Sequence, residues 1–330
     1  MRKFILISVM LIAGWSMVNN PFSNTYVTGL KAGTLAVTGN ENSLMSEIEM
    51  KAKEYEVEPS DARKDPVWKV IPGYNGLKVD VKKSYSKMEK EGKFDPEKLV
   101  FEQVPPEIHL SDLPPMAIYK GHPEKPMVSF IINVAWGNEY LSGMLATLKR
   151  HNVTASFFLE GRWVKNNPGM AKMIADAGHE IGNHSFTHPN MKQLPAPKIN
   201  EEIRRTNEVI EAVTGVKSKW FSPPSGYYRD EVVEIAAAHK LGTVMWSVDT
   251  IDWQKPSPER MISRVMGKVH NGAMILMHPT ESTAASLDQL ITQIKGKDLQ
   301  IGTVSNMLSE NRVVSAKKNE RIALYLEKVR

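Results

Sequence analysis

From Met127 onward short apolar runs alternate with segments of helical period, and that alternation limits the fold more than any other feature. "MVSFIINVA", "VTASFFLEG", "HEIGNHS", "SKWFSPPSG", "TVMWSVDT", "GAMILMHP" and "LQIGTV" read as strands or strand ends. Between them "EYLSGMLATLKRHN", "VKNNPGMAKMIADAG", "PKINEEIRRTNEVIEAVTG", "RDEVVEIAAAHKLG", "SPERMISRVMGKV" and "TAASLDQLITQIKGK" read as amphipathic helices. A strand that is apolar throughout is buried on both faces, so the pattern predicts a parallel sheet covered by helices. Six or seven such units predict a closed α/β barrel somewhat short of the usual eight-fold one. An open doubly wound sheet is the alternative, but no GxGxxG follows a strand, so no dinucleotide site is expected.

The chain ahead of Met127 has a different texture. Arg2 and Lys3 precede the uncharged run "FILISVMLIAGWSMV", a positive region and an apolar region of signal-peptide length. The run is short for a membrane span of about 20 residues. No Ala-x-Ala cleavage site and no lipobox cysteine follow it. Residues 1–20 are therefore expected to be a cleaved signal peptide or a retained membrane anchor, with the rest exported across the cytoplasmic membrane to the cell envelope. Residues 21–45, rich in Asn, Thr, Gly and Ser, read as a linker. Residues 46–120 read as a small N-terminal module. In it "MSEIEMKAKEYE" is a short helix, "LKVDVKKS" a strand after a turn at Gly76, and "VPPEIHLSDLPP" a proline-punctuated boundary. The main domain is expected over 121–312, and the tail 313–330 reads as a terminal helix with a solvated basic face.

The net charge of +5 fits an anionic surface such as a bacterial wall. No basic stripe with interleaved aromatics is present, so nucleic acid is not expected, and a membrane is expected only through the N-terminal segment. The absence of cysteine excludes disulfides, thiolate metal sites and cysteine nucleophiles.

In a parallel barrel the chemistry sits at the C-terminal ends of the strands. Those ends carry Asn133, then His184 and His188, then "SPPSG", then Asp249 and Asp252, then His278. The two histidines four apart suit a metal, but a catalytic zinc usually takes three protein ligands and keeps one open position. Without cysteine, any third ligand has to be a histidine or a carboxylate.

From Met127 to about Met307 these motifs together resemble the NodB-homology domain of the polysaccharide deacetylases, carbohydrate esterase family four. "GHEIGNHSFTHPNM" is similar to the family's His-Ser/Thr-x-x-His motif, "SPPSG" stands where Arg-x-Pro-Tyr-Gly is expected, "WSVDTIDW" resembles Asp-x-x-Asp-Trp, and "LMH" resembles Leu-x-His. "TASFFLEGRWVKNNP" also resembles the family, and within it the sporulation-associated deacetylase-like members are most similar. The resemblance implies a distorted (β/α) barrel and metal-assisted removal of acetyl groups from a polysaccharide such as peptidoglycan. It implies a divalent metal, zinc or cobalt, on one Asp and two His. It also implies a second Asp as base, the Leu-x-His histidine as general acid, and an Arg bracing the base. Carried over, the metal ligands are His184 and His188, the general-acid position is His278, Asp249 orients a histidine from behind, and Pro224, Gly226, Trp253 and Leu276 line the substrate.

The first motif departs from the family. Where the family has Thr-Phe-Asp-Asp-Gly, this chain has Asn133-Val134-Ala135-Trp136-Gly137. Ala135 occupies the base position, Trp136 the metal-ligand position, and Ser222 the position of the bracing Arg. Alanine cannot take a proton, and loss of a general base costs on the order of 10² to 10⁴ in rate. An indole has only an N–H donor and no lone pair for a metal. The reading that follows is a deacetylase-like pseudoenzyme that binds cell-wall glycan or a partner, with Trp136 either a sugar contact or a plug in an emptied cavity. The alternative is an active hydrolase in which Glu139 or Asp249 substitutes as ligand. A third reading is an envelope interaction protein acting through residues 46–120 and the basic tail.

Overall fold

The computed structural model describes residues 43–313. The signal or anchor segment, most of the expected linker and the basic tail lie outside the described residues. The described residues divide into two compact units, one over 43–57 and 77–102, the other over 58–76 and 103–313.

In the described part of the smaller unit, a helix over 43–52 presents Leu44, Ile48 and Ala52 to Val79, Met88 and Leu99. The strand expected through "LKVDVKKS" covers only Gly76–Val79. Asp80 then takes the N-cap position, its carboxylate accepts from the Lys83 amide at 2.9 Å, and a helix runs Val81–Met88. The alternation of apolar and polar residues was real but too short to outweigh a good N-cap.

In the larger unit eight parallel strands form one sheet: β1 Met127–Val134, β2 Ser156–Leu159, β3 Glu180–Asn183, β4 Trp220–Phe221, β5 Gly242–Thr243, β6 Val248–Asp249, β7 Met274–Met277 and β8 Gln300–Gly302. The spatial order is β6-β7-β1-β2-β3-β4-β5, with β8 paired to the start of β1. The helices are α1 Asn138–Arg150, α2 Gly161–Asn166, α3 Pro168–Asp176, α4 Ala196–Thr214, α5 Asp230–Ala238, α6 Pro258–Met266, α7 Glu281–Gly296 and α8 Val304–Leu308. Every residue of β1 is buried, as its unbroken apolar run requires. Val128, Phe130, Ile132 and Val134 pack in the helix-facing core, whereas Met127 and Ile131 pack in the inner one with Phe158, Met274 and Leu276. Burying each such side chain stabilises the fold by roughly 1.5–3 kcal/mol.

The barrel is not closed by strand-to-strand pairing, because β5 and β6 do not pair. The gap is spanned by 118–121. Ile118 donates to Thr243 O at 2.9 Å and accepts from Met245 N at 2.8 Å, and Gly121 donates to Gly272 O at 2.8 Å. A bare sheet edge leaves N–H and C=O groups unpaired, and this segment pairs them. That corrects the expected domain limits. Residues 58–76 and 103–120, assigned from sequence to the N-terminal module, belong to the barrel unit, and the expected boundary at 120 falls inside its seam.

Three histidines in the barrel unit are buried, and two of them, His122 and His179, accept a backbone amide on a ring nitrogen and so are neutral. Nδ1 of His179 accepts the Ala155 amide at 3.2 Å, and Nδ1 of His122 accepts the Glu124 amide at 3.2 Å. Burial pushes both down to about 4. Unfolding raises them to the ordinary value near 6.5, so the unfolded chain binds more protons below that pH. Stability is then fully present above about pH 6.5 and falls by about 1.4 kcal/mol per pH unit for each ring toward pH 4. Urea midpoints measured from pH 7 to 4.5 will show this slope, and His179→Gln will flatten it. An unchanged slope in the variant refutes the assignment.

Candidate functional site

The strand ends each contribute a short loop to one mouth. β1 passes through Ala135 and Trp136 into Gly137, which has φ of +83°. A Cβ on Gly137 would lie 1.9 Å from the carbonyl oxygen of Pro279, so only glycine permits the β1 and β7 loops to approach this closely. The approach sets the Trp136 indole over the His278 imidazole, nearly parallel at 9° with ring centroids 5.9 Å apart.

The loop after β3 is held from beneath. The Asn183 amide donates to Ile203 O and to Asn207 Oδ1, each at 2.8 Å, while its Oδ1 accepts from Ser185 N at 2.9 Å. Glu202 on α4 accepts from the amides of Phe186 and Thr187 at 2.8 and 2.7 Å. Ser185 and His188 adopt left-handed backbone, with φ of +61° and +57°. The turn brings His184 and His188 edge to face at 5.0 Å. His184 is 1 % exposed, and its Nδ1–H donates to the Ser222 carbonyl at 2.7 Å, which leaves Nε2 with the lone pair. Burial, reinforced by the neighbouring His188 and His278, pushes His184 down to about 3, so it stays neutral at physiological pH. Burial lowers His188 as well.

Asp252 follows β6 and is wholly buried. Its carboxylate accepts from His278 Nδ1 at 2.8 Å, from the His278 amide at 2.5 Å and from Thr283 Oγ1 at 2.7 Å. The bond to Nδ1 turns His278 Nε2 toward the mouth as the free nitrogen.

The resulting groove has a volume of about 420 Å³ and is lined by Asn133, Ala135, Trp136, His184, His188, Ser225, Tyr227, Trp246, Asp249, Trp253, Leu276 and His278. Three aromatics stand exposed around it, Trp136 at 48 %, Tyr227 at 52 % and Trp253 at 56 %.

Most of the residues expected from sequence meet here, with four corrections. Asp249 does not orient a histidine. Its carboxylate accepts from Ile251 N at 2.8 Å and braces a left-handed turn, φ +54°, that leads to Asp252. Asp252 is the carboxylate that holds His278, a role the sequence reading did not assign. Pro224 and Gly226 do not line the groove. Pro224 is buried and Gly226 packs against the Trp246 ring, so their turn presents Ser225 and Tyr227 instead. Ser222 is buried behind the histidines and contributes only its carbonyl, its hydroxyl having no partner among the described residues. Tyr227 and Trp246 were missed, and the only signal for Tyr227 was an aromatic pair directly after a glycine turn.

The residues present do not fit a divalent metal. Among the described residues no group of three His, Cys, Asp or Glu is placed to hold one. Asp249 lines the groove, Glu139 lies in the first turn of α1, and neither completes a set with His184 and His188. The third position is an indole, which offers no lone pair.

Asp252→Ala leaves the His278 amide and ring without their acceptor, and its expected cost is about 3 kcal/mol of unfolding free energy. Chemical denaturation will measure it. A loss no larger than that of Asp249→Ala would contradict the role given to Asp252.

Comparison with known proteins agrees with this geometry. The polysaccharide deacetylase family model matches residues 120–244. YlxY of Bacillus subtilis is 54% identical over 316 residues, 95% of this chain and 99% of its own length. The crystal structure of BA3943 from Bacillus anthracis, a CE4 family pseudoenzyme, superposes with a TM-score of 0.79 at 53% identity, over 82% of this chain and 96% of that one. A peptidoglycan-N-acetylglucosamine deacetylase of Bacillus cereus is 32% identical over 179 residues, 53% of this chain and 65% of its own. With its parallel barrel and the histidine, Asp-x-x-Asp-Trp and Leu-x-His motifs gathered at one mouth, the chain belongs to the polysaccharide deacetylases, carbohydrate esterase family 4.

Proposed function

We propose that this protein is a pseudoenzyme that binds an N-acetylated glycan of the bacterial cell wall without hydrolysing it. The observation that carries the reading is Trp136. It replaces a metal ligand, it lies flat against His278, and it presents the rest of its ring to the groove. Metal-assisted hydrolysis needs a Lewis acid to polarise the acetyl carbonyl and a base to activate water. Ala135 supplies no base, and among the described residues the donor set supplies no third ligand. His278 keeps its acid-type geometry, held by Asp252, but an indole stacks offset beside its ring.

What remains suits sugar binding. The rim aromatics Trp136, Tyr227 and Trp253 offer apolar faces, and Asn133, Asp249 and Ser225 offer polar contacts. Relatives named for peptidoglycan-N-acetylglucosamine and peptidoglycan-N-acetylmuramic acid deacetylation support a wall glycan as the ligand. BA3943, itself a pseudoenzyme, has a mutant with restored enzymatic activity, which supports reading such a groove as sound apart from its lost machinery. The apolar run after Arg2 and Lys3 supports export to the envelope, and the likeness to sporulation-associated members supports a role in spore formation.

Acetate release from N-acetylglucosamine oligomers and peptidoglycan, with zinc or cobalt supplied, tests the reaction. The natural chain will show none above background. A variant with Ala135→Asp, Trp136→Asp and Ser222→Arg is expected to exceed it by at least about 10². Activity in the natural chain overturns the pseudoenzyme reading. Calorimetry tests binding: Trp253→Ala is expected to weaken affinity for the same oligomers by about tenfold, the value of one stacked ring.

A further inference from the structure

A second cavity adjoins the groove, shares Ala135, Trp136 and His188 with it, and has a volume of about 560 Å³. We propose that this cavity is a saccharide subsite for a neutral sugar unit, so that a glycan lies across both cavities with Trp136 as the shared stacking platform. The inference rests on the glycan-binding reading above and extends it to ligand length and charge.

The first argument is its lining. Asn138, Glu139, Glu160, Arg162, Asn166 and Asn167 bring amides, carboxylates and one guanidinium to a cavity walled by a half-exposed indole. Sugars offer hydroxyl and acetamido groups that both donate and accept, together with an apolar ring face. Such a mixture of polar groups beside one aromatic matches them, and the volume is that of a small-molecule site.

The second argument is preorganisation. Asn138 Oδ1 accepts from Trp163 Nε1 at 2.7 Å, and its amide donates to Asn167 Oδ1 at 2.8 Å. The Asn167 amide donates to Trp163 O at 3.0 Å. Glu160 accepts from the Trp163 amide at 2.9 Å and from Arg162 at 3.3 Å. These residues form a fixed wall around Trp163. Glu139 and Asn166 make no side-chain hydrogen bond among the described residues, so they are free to meet a ligand. A wall locked by its own hydrogen bonds loses little entropy on binding.

The third argument is charge. Arg162 pairs with Glu160 at 3.3 Å, which leaves the exposed Glu139 as the uncompensated charge of the lining. The excess of negative charge repels a ligand carboxylate or phosphate and favours uncharged N-acetylhexosamine over a lactyl-bearing unit. Trp136 stacks offset on His278 and is 48 % exposed, so a sugar ring can take the open part of the indole.

Calorimetry on the full chain with N-acetylglucosamine dimer and tetramer tests the proposal. The natural chain is expected to bind the tetramer at least about tenfold more tightly than the dimer, about 1.4 kcal/mol. The double variant Glu139→Ala, Asn166→Ala touches only exposed side chains of the second cavity. It is expected to lose most of that length gain while holding the dimer within about twofold, with an unchanged Tm. Glu139→Gln is expected to improve binding of an oligomer containing N-acetylmuramic acid. If the double variant keeps the full preference for the tetramer, the second subsite is refuted and the central glycan site stands. If the natural chain binds neither oligomer, the glycan reading and this extension both fall.

Discussion

The site depends on one buried carboxylate. Asp252 receives the backbone and ring of His278 and the hydroxyl of Thr283, and so joins the β6 loop, the end of β7 and the first turn of α7. A carboxylate with no contact to solvent is tolerable only when its lone pairs are filled, and three charge-assisted bonds fill them. The left-handed Ile251, held by Asp249, makes the turn that delivers it. His278 is therefore fixed before anything binds, and Trp136 finds a flat, immobile partner to stack on.

That arrangement explains how the histidine framework of the mouth stands without aspartates at positions 135 and 136. The supports of the histidines come from β3, α4 and the Ser222 carbonyl, and none of them runs through Ala135 or Trp136. The two missing aspartates are lost from the tip of one loop. Their loss removes a base and a ligand but no structural hydrogen bond that the barrel needs. The indole fills part of the gap, and because it stands half exposed it also adds stacking surface. A buried plug would have removed that surface, so the geometry favours the contact over the plug.

Much of this was legible in the chain. The unbroken apolar runs required a parallel sheet, and strand-end positions required His184, His188, Asp249 and His278 to share a mouth. Asp80 was less legible, because a single N-cap turned an apparent strand into a helix. The seam was illegible: residues 118–121 carry no strong strand signal, and they become part of the barrel only because two sheet edges otherwise lie unpaired. The histidine-holding role expected of Asp249 falls to Asp252 for a related reason, since both lie at the end of the same strand and only the turn between them decides which one faces inward.

The sequence by itself determined the class of fold, the family motifs and the replacement of the family's base and third ligand by Ala135 and Trp136, because each follows from which atoms a residue carries. Alanine has no basic group and an indole nitrogen has no free lone pair, whatever surrounds them. Tertiary structure alone decided which carboxylate holds His278 and where the domain boundary falls. It also decided that Trp136 lies open against His278 between two cavities. Those outcomes depend on distances between segments far apart in the chain, set by packing and by the pairing of backbone groups at sheet edges, and no local pattern of residues encodes them.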